Sequence, residues 1–333
     1  MTTDGLPIAI YYEHPDWFRP LFAELARRRI PYVPIDASCH QYDAKTKADD
    51  YALVFNRMSA SAYLRGHGNA IFYTRNYLAH LERTGTRVVN GSDAFAVETS
   101  KALQLNLLES LGLPYPRTRV INCPAEAPRA ARSLQFPIVM KPNIGGRGAG
   151  IVRYDSAEAL EHAAGDGRID LGIDSTALVQ EFIPARGGHI SRVETLDGKF
   201  LYAIKVFTSG ESFNLCPAEI CQIEDGVSAL GEMCLVDAPK SGLKVEAYTP
   251  PAEVIEAVER IAQAARMDIG GVEYLVDDRD GTLMYYDINA LSNFVADAVN
   301  VLGFDPHERL VDYLEEEAKR CATVIGSRSS AAG

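Results

Sequence analysis

Three groups of residues have types and spacings that could do chemistry. Lys141 closes a run, Phe136 to Lys141, that alternates as a strand does, with Ile138 and Met140 on one side and Val139 and Lys141 on the other. Pro142 cannot donate to a ladder and ends the pairing. Gly145, Gly146, Gly148 and Gly150 follow, with Arg147 among them. Such a loop can take positive φ and turn its N–H groups on an anion, and the anion it suits is a nucleotide triphosphate. Far downstream, Asp287 and Asn289 stand two apart on a run that reads as a strand, so both point the same way. A three-residue loop, Arg279-Asp280-Gly281, with Gly281 in the left-handed position, sets Glu273 opposite Asp287. Three such groups suit a hard cation; the bland alternative is a surface acidic cluster. Magnesium keeps some waters and takes phosphate oxygens, so two or three protein ligands suffice. In the third group, Asp197-Gly198 fits a two-residue hairpin turn that pairs Leu196 with Lys199, Glu194 with Leu201 and Arg192 with Ala203. That register makes Arg192 and Lys205 diagonal neighbours on one face, about 7–8 Å apart. They would then be either exposed sheet cations or a clamp on a transferring phosphoryl group.

The order of parts excludes other phosphate loops. A Walker loop ends Gly-Lys-Ser/Thr, whereas this one ends Gly148-Ala149-Gly150. A dinucleotide fingerprint follows the first strand and opens a helix; here the loop lies mid-chain, and the run from Gly150 to Asp155 reads as another strand. A protein kinase has its glycine loop before the strand lysine, whereas Lys141 precedes this loop.

The elements that must carry these groups alternate by type. Pro7–Tyr12, Pro31–Ile35, Tyr51–Phe55 and Arg87–Asn90 read as strands, and Asp16–Arg29 and Ala70–Leu81 as helices. That order predicts a small open α/β sheet over 1–92. Asn56 and Arg57 follow one of its strands, where such sheets place ligands; they read as loop residues or as partners of a substrate carboxylate. Glu98–Leu111 reads as one helix, with Lys101 in its first turn and Gly112 after its end. Arg117–Ile121, Ala127–Leu134, the lysine strand, Ser156–Ala163 and Leu178–Ile183 predict a small α+β lid, roughly 113–184. Pro251–Ala265 and Pro306–Arg320 read as helices, and Gly270-Gly271 as a break before a strand at Val272–Val276. The stretch 219–238 shows no clear period, and Asn214 sits in a turn before it that could touch substrate.

Lysine, then glycine loop, between two strands, with acid…acid-x-Asn late in the chain, resembles the ATP-grasp superfamily of carboxylate–amine ligases. The resemblance runs in order from about Asn90 onward. It implies an architecture of an N-terminal open α/β domain (1–92), a linker helix with an α+β lid (93–184) and a C-terminal α+β domain (185–322). ATP would lie between the last two, and 323–333 would be a disordered tail. By the same resemblance Lys101 and Lys141 hold the nucleotide with the glycine loop. Gln180, Glu181 and Ile183 line the adenine, and Arg192 and Lys205 steady the phosphoryl group. Glu273, Asp287 and Asn289 hold magnesium, for which manganese could stand. The family often has arginine at the second clamp position and Asn-x-x-Pro-Gly after the metal strand; here stand Lys205 and Ala290-Leu291-Ser292-Asn293-Phe294. The implied reaction joins a small-molecule carboxylate to an amine, on amino acids or short peptides, through an acyl phosphate. An ATP-binding regulator or a small-molecule kinase on the same scaffold is the alternative.

The totals agree. The 333 residues allow two or three domains, 47% hydrophobic residues exclude a disordered composition, and a formal charge of −12 with no basic block argues against nucleic acid. No apolar run reaches membrane length and the start lacks a signal-peptide pattern. Six scattered cysteines, with Cys216, Cys221 and Cys234 too irregularly spaced for a zinc site, suit reduced thiols in a cytoplasmic protein. A homodimer is compatible with all of this.

Overall fold

The computed structural model describes residues 5–14, 16–47, 50–146, 148–207 and 244–331, with backbone alone over 323–331. Arg147, Asn214 and the stretch 219–238, with Cys216, Cys221 and Cys234, lie outside the described residues.

The N-terminal sheet is parallel, in the order β2-β1-β3-β4, with β1 at Ile8–Tyr12, β2 at Tyr32–Asp36, β3 at Leu53–Arg57 and β4 at Val88–Val89. Its central strands are near-continuous apolar runs because helices and another sheet cover both faces. Helix α1 (Arg19–Arg27) presents Leu21 and Leu25 to one face. On the other face α2 (Gly68–Arg83) packs Ile71, Leu78 and Leu81 against Ala9, Tyr11 and Val54.

The expected helix at 98–111 is α4 (Lys101–Ser110), which starts three residues later than expected because Glu98 ends a preceding helix, α3 (Ser92–Glu98). Ser100 breaks them: its backbone is extended (φ −153°), and its Oγ accepts from Leu103 N at 3.2 Å. A serine in that place caps a new helix instead of continuing the old one. Both helices pack on the C-terminal sheet through Ala94 and Leu108.

The lid is an antiparallel sheet, β5-β8-β6-β7, of β5 (Thr118–Ile121), β6 (Ile138–Pro142), β7 (Val152–Tyr154) and β8 (Ala177–Glu181). Helices α5 (Ala127–Ala131) and α6 (Ala157–Gly165) cover one face, closing a core with Ile138, Met140, Leu160 and Val179. Ser156 caps α6 as expected, accepting from Ala159 N. The other face carries Val139, Lys141, Leu178 and Gln180 by strand alternation and register.

The C-terminal sheet is antiparallel, in the order β11-β10-β9-β12-β13: β9 (His189–Leu196), β10 (Lys199–Phe207), β11 (Val245–Tyr248), β12 (Ile269–Val276) and β13 (Leu283–Asn289). Helix α7 (Ala252–Ala264) packs Val258 and Ile261 on one face, with Val193, Ala203 and Val272. The other face shares a core with the N-terminal sheet: Ile190, Ile204 and Ile269 join Ile8, Ile10 and Phe55. A short helix, α8 (Ala298–Leu302), follows β13, and α9 (Pro306–Ala331) adds Leu310, Val311 and Leu314 to the shared core. Where a disordered tail was expected from 323, α9 continues to Ala331. Nothing there stops it: no proline follows Pro306, and one glycine, Gly326, costs a helix only about 1 kcal/mol.

Gly270-Gly271 is not a break but lies inside β12. A Cβ on Gly271 would fall 2.7 Å from Arg192 Nε and Nη2 and from Glu194 Oε1, and one on Gly270 would fall 2.6 Å from Asn289 O. The pair marks close approach, as glycine in a strand often does.

Candidate functional site

The site lies where α4, the lid and the β12–β13 edge meet. Glu273 pairs with Asp287 as expected, but not through the expected three-residue loop: next to the turn Val276 pairs with Leu283 and Tyr274 with Tyr285, one residue off that register. A bulge at Tyr286 interrupts the ladder between Glu273 and Tyr274, and its hydroxyl donates to Glu273 Oε2 at 2.8 Å. The Asn289 amide lies 3.4 Å from Asp287 Oδ2. Lys101 reaches across from α4 and donates from its ammonium to Asp287 Oδ1. With side chains only 16% and 22% exposed, the pair is not a solvated helix-face contact. Lys141 sits on the same patch, its ammonium 5.6 Å from the centre of the Tyr286 ring.

Burial sets the charges. It pushes the Lys141 ammonium down to about 8, and the neighbouring Lys101 adds to the fall. Burial also works against Lys101, but Asp287 more than restores its proton affinity. For Asp287, burial is outweighed by Lys101, Lys141 and Arg192, which hold its carboxyl below the usual range. Glu273 is raised by burial and by Asp287, against the pull of Arg192.

These oxygens fit a magnesium ion. Among the described residues no three His, Cys, Asp or Glu side chains form a cage. Two carboxylates and an amide oxygen are the sparse, hard donor set that phosphate oxygens and waters complete. In this structure their charge is met by Lys101 and Arg192.

Arg192 is held flat over Gly271. Its Nε donates to Glu194 Oε1 at 2.6 Å and its Nη1 to Glu273 Oε1 at 3.0 Å. Lys205 does not share this face. A bulge at Leu201 shifts the hairpin by one residue, so Arg192 pairs with Ile204 and Lys205 with Ser191. A one-residue slip turns a side chain to the opposite face. Lys205 therefore packs its ammonium 4.5 Å from the Tyr248 ring centre, on the α7 side. The expected placing of Arg192 and Lys205 on one face is therefore not met.

The glycine loop rests on the N-terminal domain. A Cβ on Gly146 would fall 2.8 Å from Ser61 Cβ, and one on Gly145 would lie 3.8 Å from Lys101 Cε. Gly148 and Gly150 take positive φ, 72° and 73°. Ile144 is buried in the core of the α2 face. Of the residues expected at the adenine, Gln180 lies on the Lys141 face, its Nε2 donating to Thr118 Oγ1 at 2.9 Å. Glu181 points to the other face, where it accepts from Arg117 Nη1 at 3.1 Å and Gln135 N at 2.8 Å, so only its backbone can face a base. Ile183 is buried in the shared core.

Opposite the loop, at the carboxyl end of β1, the Glu13 side chain is fully buried and pairs with Arg65 and His67. Arg65 lies over Trp17, 5.2 Å from its centre. Asn56 and Arg57 are not loop residues but the buried end of β3. Arg57 Nη2 donates to Ser292 O and, at 3.1 Å, to Asn293 Oδ1, tying down the loop after β13. The sequence reading missed Glu13, Arg65, His67 and Tyr286. They sit beside strand ends or in a bulge, and only the convention that open parallel sheets bind at their carboxyl ends pointed there.

No family model matches the chain. It is similar to a probable alpha-L-glutamate ligase of Teredinibacter turnerae, 33% identical over 138 residues, which span 40% of this chain and 44% of that protein. With 44% and 60% of two such relatives matched, the chain spans about half the length of the curated relatives it resembles. Among solved structures it is similar to a RimK domain protein ATP-grasp of Sphaerobacter thermophilus, with a TM-score of 0.65 and 20% identity over 92% of this chain and 98% of that one. It is also similar to the ATP-grasp ligase PsnB complexed with a precursor variant, Mg and ADP, with a TM-score of 0.63 and 18% identity over 94% and 99%.

Proposed function

Because the chain has the ATP-grasp fold, we propose that it is an ATP-dependent carboxylate–amine ligase, releasing ADP and phosphate. The observation that carries this is the half-buried Lys101–Asp287 pair. It joins the phosphate half of the site, Lys141 and the glycine loop, to the cation half, Glu273, Asp287 and Asn289.

Lys101 and Lys141 hold the triphosphate, with the glycine-loop N–H groups turned toward it. Glu273, Asp287 and Asn289 hold magnesium or manganese, which when bound neutralises charge on the phosphates. Arg192, fixed by Glu194 and Glu273, meets the charge that spreads over the transferring group. A substrate carboxylate oxygen attacks the γ-phosphorus and ADP leaves. The amine then attacks the acyl carbon, phosphate leaves with the bonding pair, and the amine sheds a proton. No nucleophilic side chain is needed. The acid is bound by the N-terminal wall, where Arg65 and His67 present nitrogen donors beside the glycine loop. The relatives are glutamate ligases by name, so glutamate or a short peptide is the proposed substrate. The proposed setting is the cytoplasm.

A second reading, a nucleotide-binding regulator, is favoured by one observation: Lys205 does not join Arg192. One experiment separates them. The chain is mixed with ATP, magnesium, hydroxylamine and either glutamate or pooled amino acids. ADP with hydroxamate is the ligase result. AMP would mean adenylate chemistry, and ATP binding without turnover on a wide acid panel would favour the regulator.

A further inference from the structure

Asn143 stands two residues after Lys141, at the base of the glycine loop, and is buried. Its partners are neither the phosphate lysines' ammonium groups nor the metal-type oxygens; they lie on two other elements. Its Oδ1 accepts from Ala102 N at 2.9 Å and Ser100 Oγ at 3.2 Å, and its carbonyl accepts from Lys101 N at 3.2 Å. All three donors belong to the cap and first turn of α4, the helix that carries Lys101. Its Nδ2 donates to Asp174 Oδ2 at 2.6 Å, in the loop before β8, and its own N–H donates to Thr176 O at 2.9 Å. The amide orientation follows from chemistry, since donors face one end and a carboxylate the other.

We propose that Asn143 is a positioning residue that locks the lid to the first turn of α4 and so fixes Lys101 and Lys141 at the spacing a triphosphate requires. This rests on the nucleotide reading above. Lys141 is carried by β6 and Lys101 by α4, and no strand pairing joins these elements. Asn143 gives the first turn of α4 acceptors from the lid, beside the one that Ser100 supplies from the helix's own end. While that link holds, both ammonium groups face one site. When it breaks, the two-lysine arrangement is one of several, and nucleotide affinity falls by the fraction lost.

Asp174 makes a positioning role testable apart from general damage. Its Oδ1 has no partner among the described residues, so the bond to Asn143 is its side chain's one hydrogen bond there. Asn143→Asp sets two carboxylates face to face, while Asp174→Asn alone can turn its amide oxygen to Asn143. The double variant restores one donor facing one acceptor and keeps an oxygen on the α4 first turn. Affinity for a non-hydrolysable ATP analogue with magnesium is read by calorimetry, and KM for ATP and for the acid by ADP release.

Asn143→Ala and Asn143→Asp should each weaken analogue binding roughly tenfold, with KM for ATP rising alike and KM for the acid unmoved. Asp174→Asn should stay within about twofold, and the double variant should return to within about threefold of wild type. Unchanged affinity in both single Asn143 variants overturns the proposal. So does a double variant as weak as Asn143→Asp, because the loss is then general damage. If the wild-type chain itself binds no analogue, the nucleotide reading falls and takes this one with it; a tight wild type with indifferent variants sinks only the positioning role.

Discussion

At the scale of residues, the site is a balance of buried charge. Lys101 occupies the carboxylate that a magnesium ion would need, so cation binding without nucleotide has to displace an ammonium. Lys101→Met should therefore tighten binding of Mn2+ alone, used as a spectroscopic probe, by about tenfold or more, the value of one ion pair in a partly buried site. Electron paramagnetic resonance titration reads this directly, and equal affinity in the two proteins would show that Lys101 does not guard Asp287. Lys141 gives a pH signature. Its proton is lost near pH about 8 in the free protein, and phosphates beside it raise that value. Below that pH the free lysine is already charged and binding takes up nothing. Above it, binding must take up a proton, so affinity should fall as pH rises, by up to about tenfold per pH unit. Calorimetry about one pH unit higher, in buffers of different ionisation enthalpy, should show uptake approaching one proton, and a buffer-independent heat would remove Lys141 from the phosphates. The faces of Lys141, Asp287 and Asn289 were legible in the sequence because strand alternation fixes where they point; the Glu273–Asp287 pairing was expected from a three-residue loop and is reached instead through a register one residue off at the turn and a bulge at Tyr286. Glu13 and Arg65 were not legible, because each is ordinary in its own stretch and acquires meaning only beside the other, 52 positions away.

At the scale of elements, bulges decide which side chains arrive. The period-two reading of the β9–β10 hairpin was sound from Leu196 and Lys199 as far as Phe200, and Leu201 then broke it. Nothing in an alternating sequence announces one extra residue, and everything beyond it changes face. In β12–β13 the bulge works the other way: the ladder leaves the turn with Val276 on Leu283, one residue off the expected register, and the extra residue at Tyr286 brings Glu273 back opposite Asp287. The helix break at Ser100 hid behind a leucine pattern that runs up to the end of α4. The glycine loop makes its own prediction. Gly146→Ala places a methyl 2.8 Å from Ser61 Cβ and should push the loop off the N-terminal wall. Turnover should fall by about tenfold or more for a displacement of this size at a phosphate loop, with little loss of thermal stability. Adding Ser61→Gly removes the obstructing atom and should recover most of that activity. Failure of the second change to help would mean that the loop does not rest on Ser61 during turnover.

At the scale of the whole molecule, the lid has a core of its own, whereas the N-terminal and C-terminal sheets share one. The expected division at residues 1–92, 93–184 and 185–322 follows changes of pattern along the chain, which show where elements alternate but not which faces meet. The lid should thus be the part whose amides respond to ligand: a bound ATP analogue should slow hydrogen exchange in β6 and β8 and leave β1 and β2 unchanged, and slowing of the N-terminal sheet equal to that of the lid would contradict this. The shared core also orders events in time. Ile8, Ile10 and Phe55 meet Ile190, Ile204 and Leu310 as well as Leu21 and Leu25 of α1, so the face of β1 and β3 that α1 begins to cover is completed only by elements far along the chain. The lid's contacts close within about seventy residues of chain and carry a small loop entropy. On the ribosome the lid should therefore complete its fold before α9 closes the part of the N-terminal sheet's shared face that α1 leaves open. The window for aggregation in this protein is therefore the interval in which β1 and β3 exist without their distant partners.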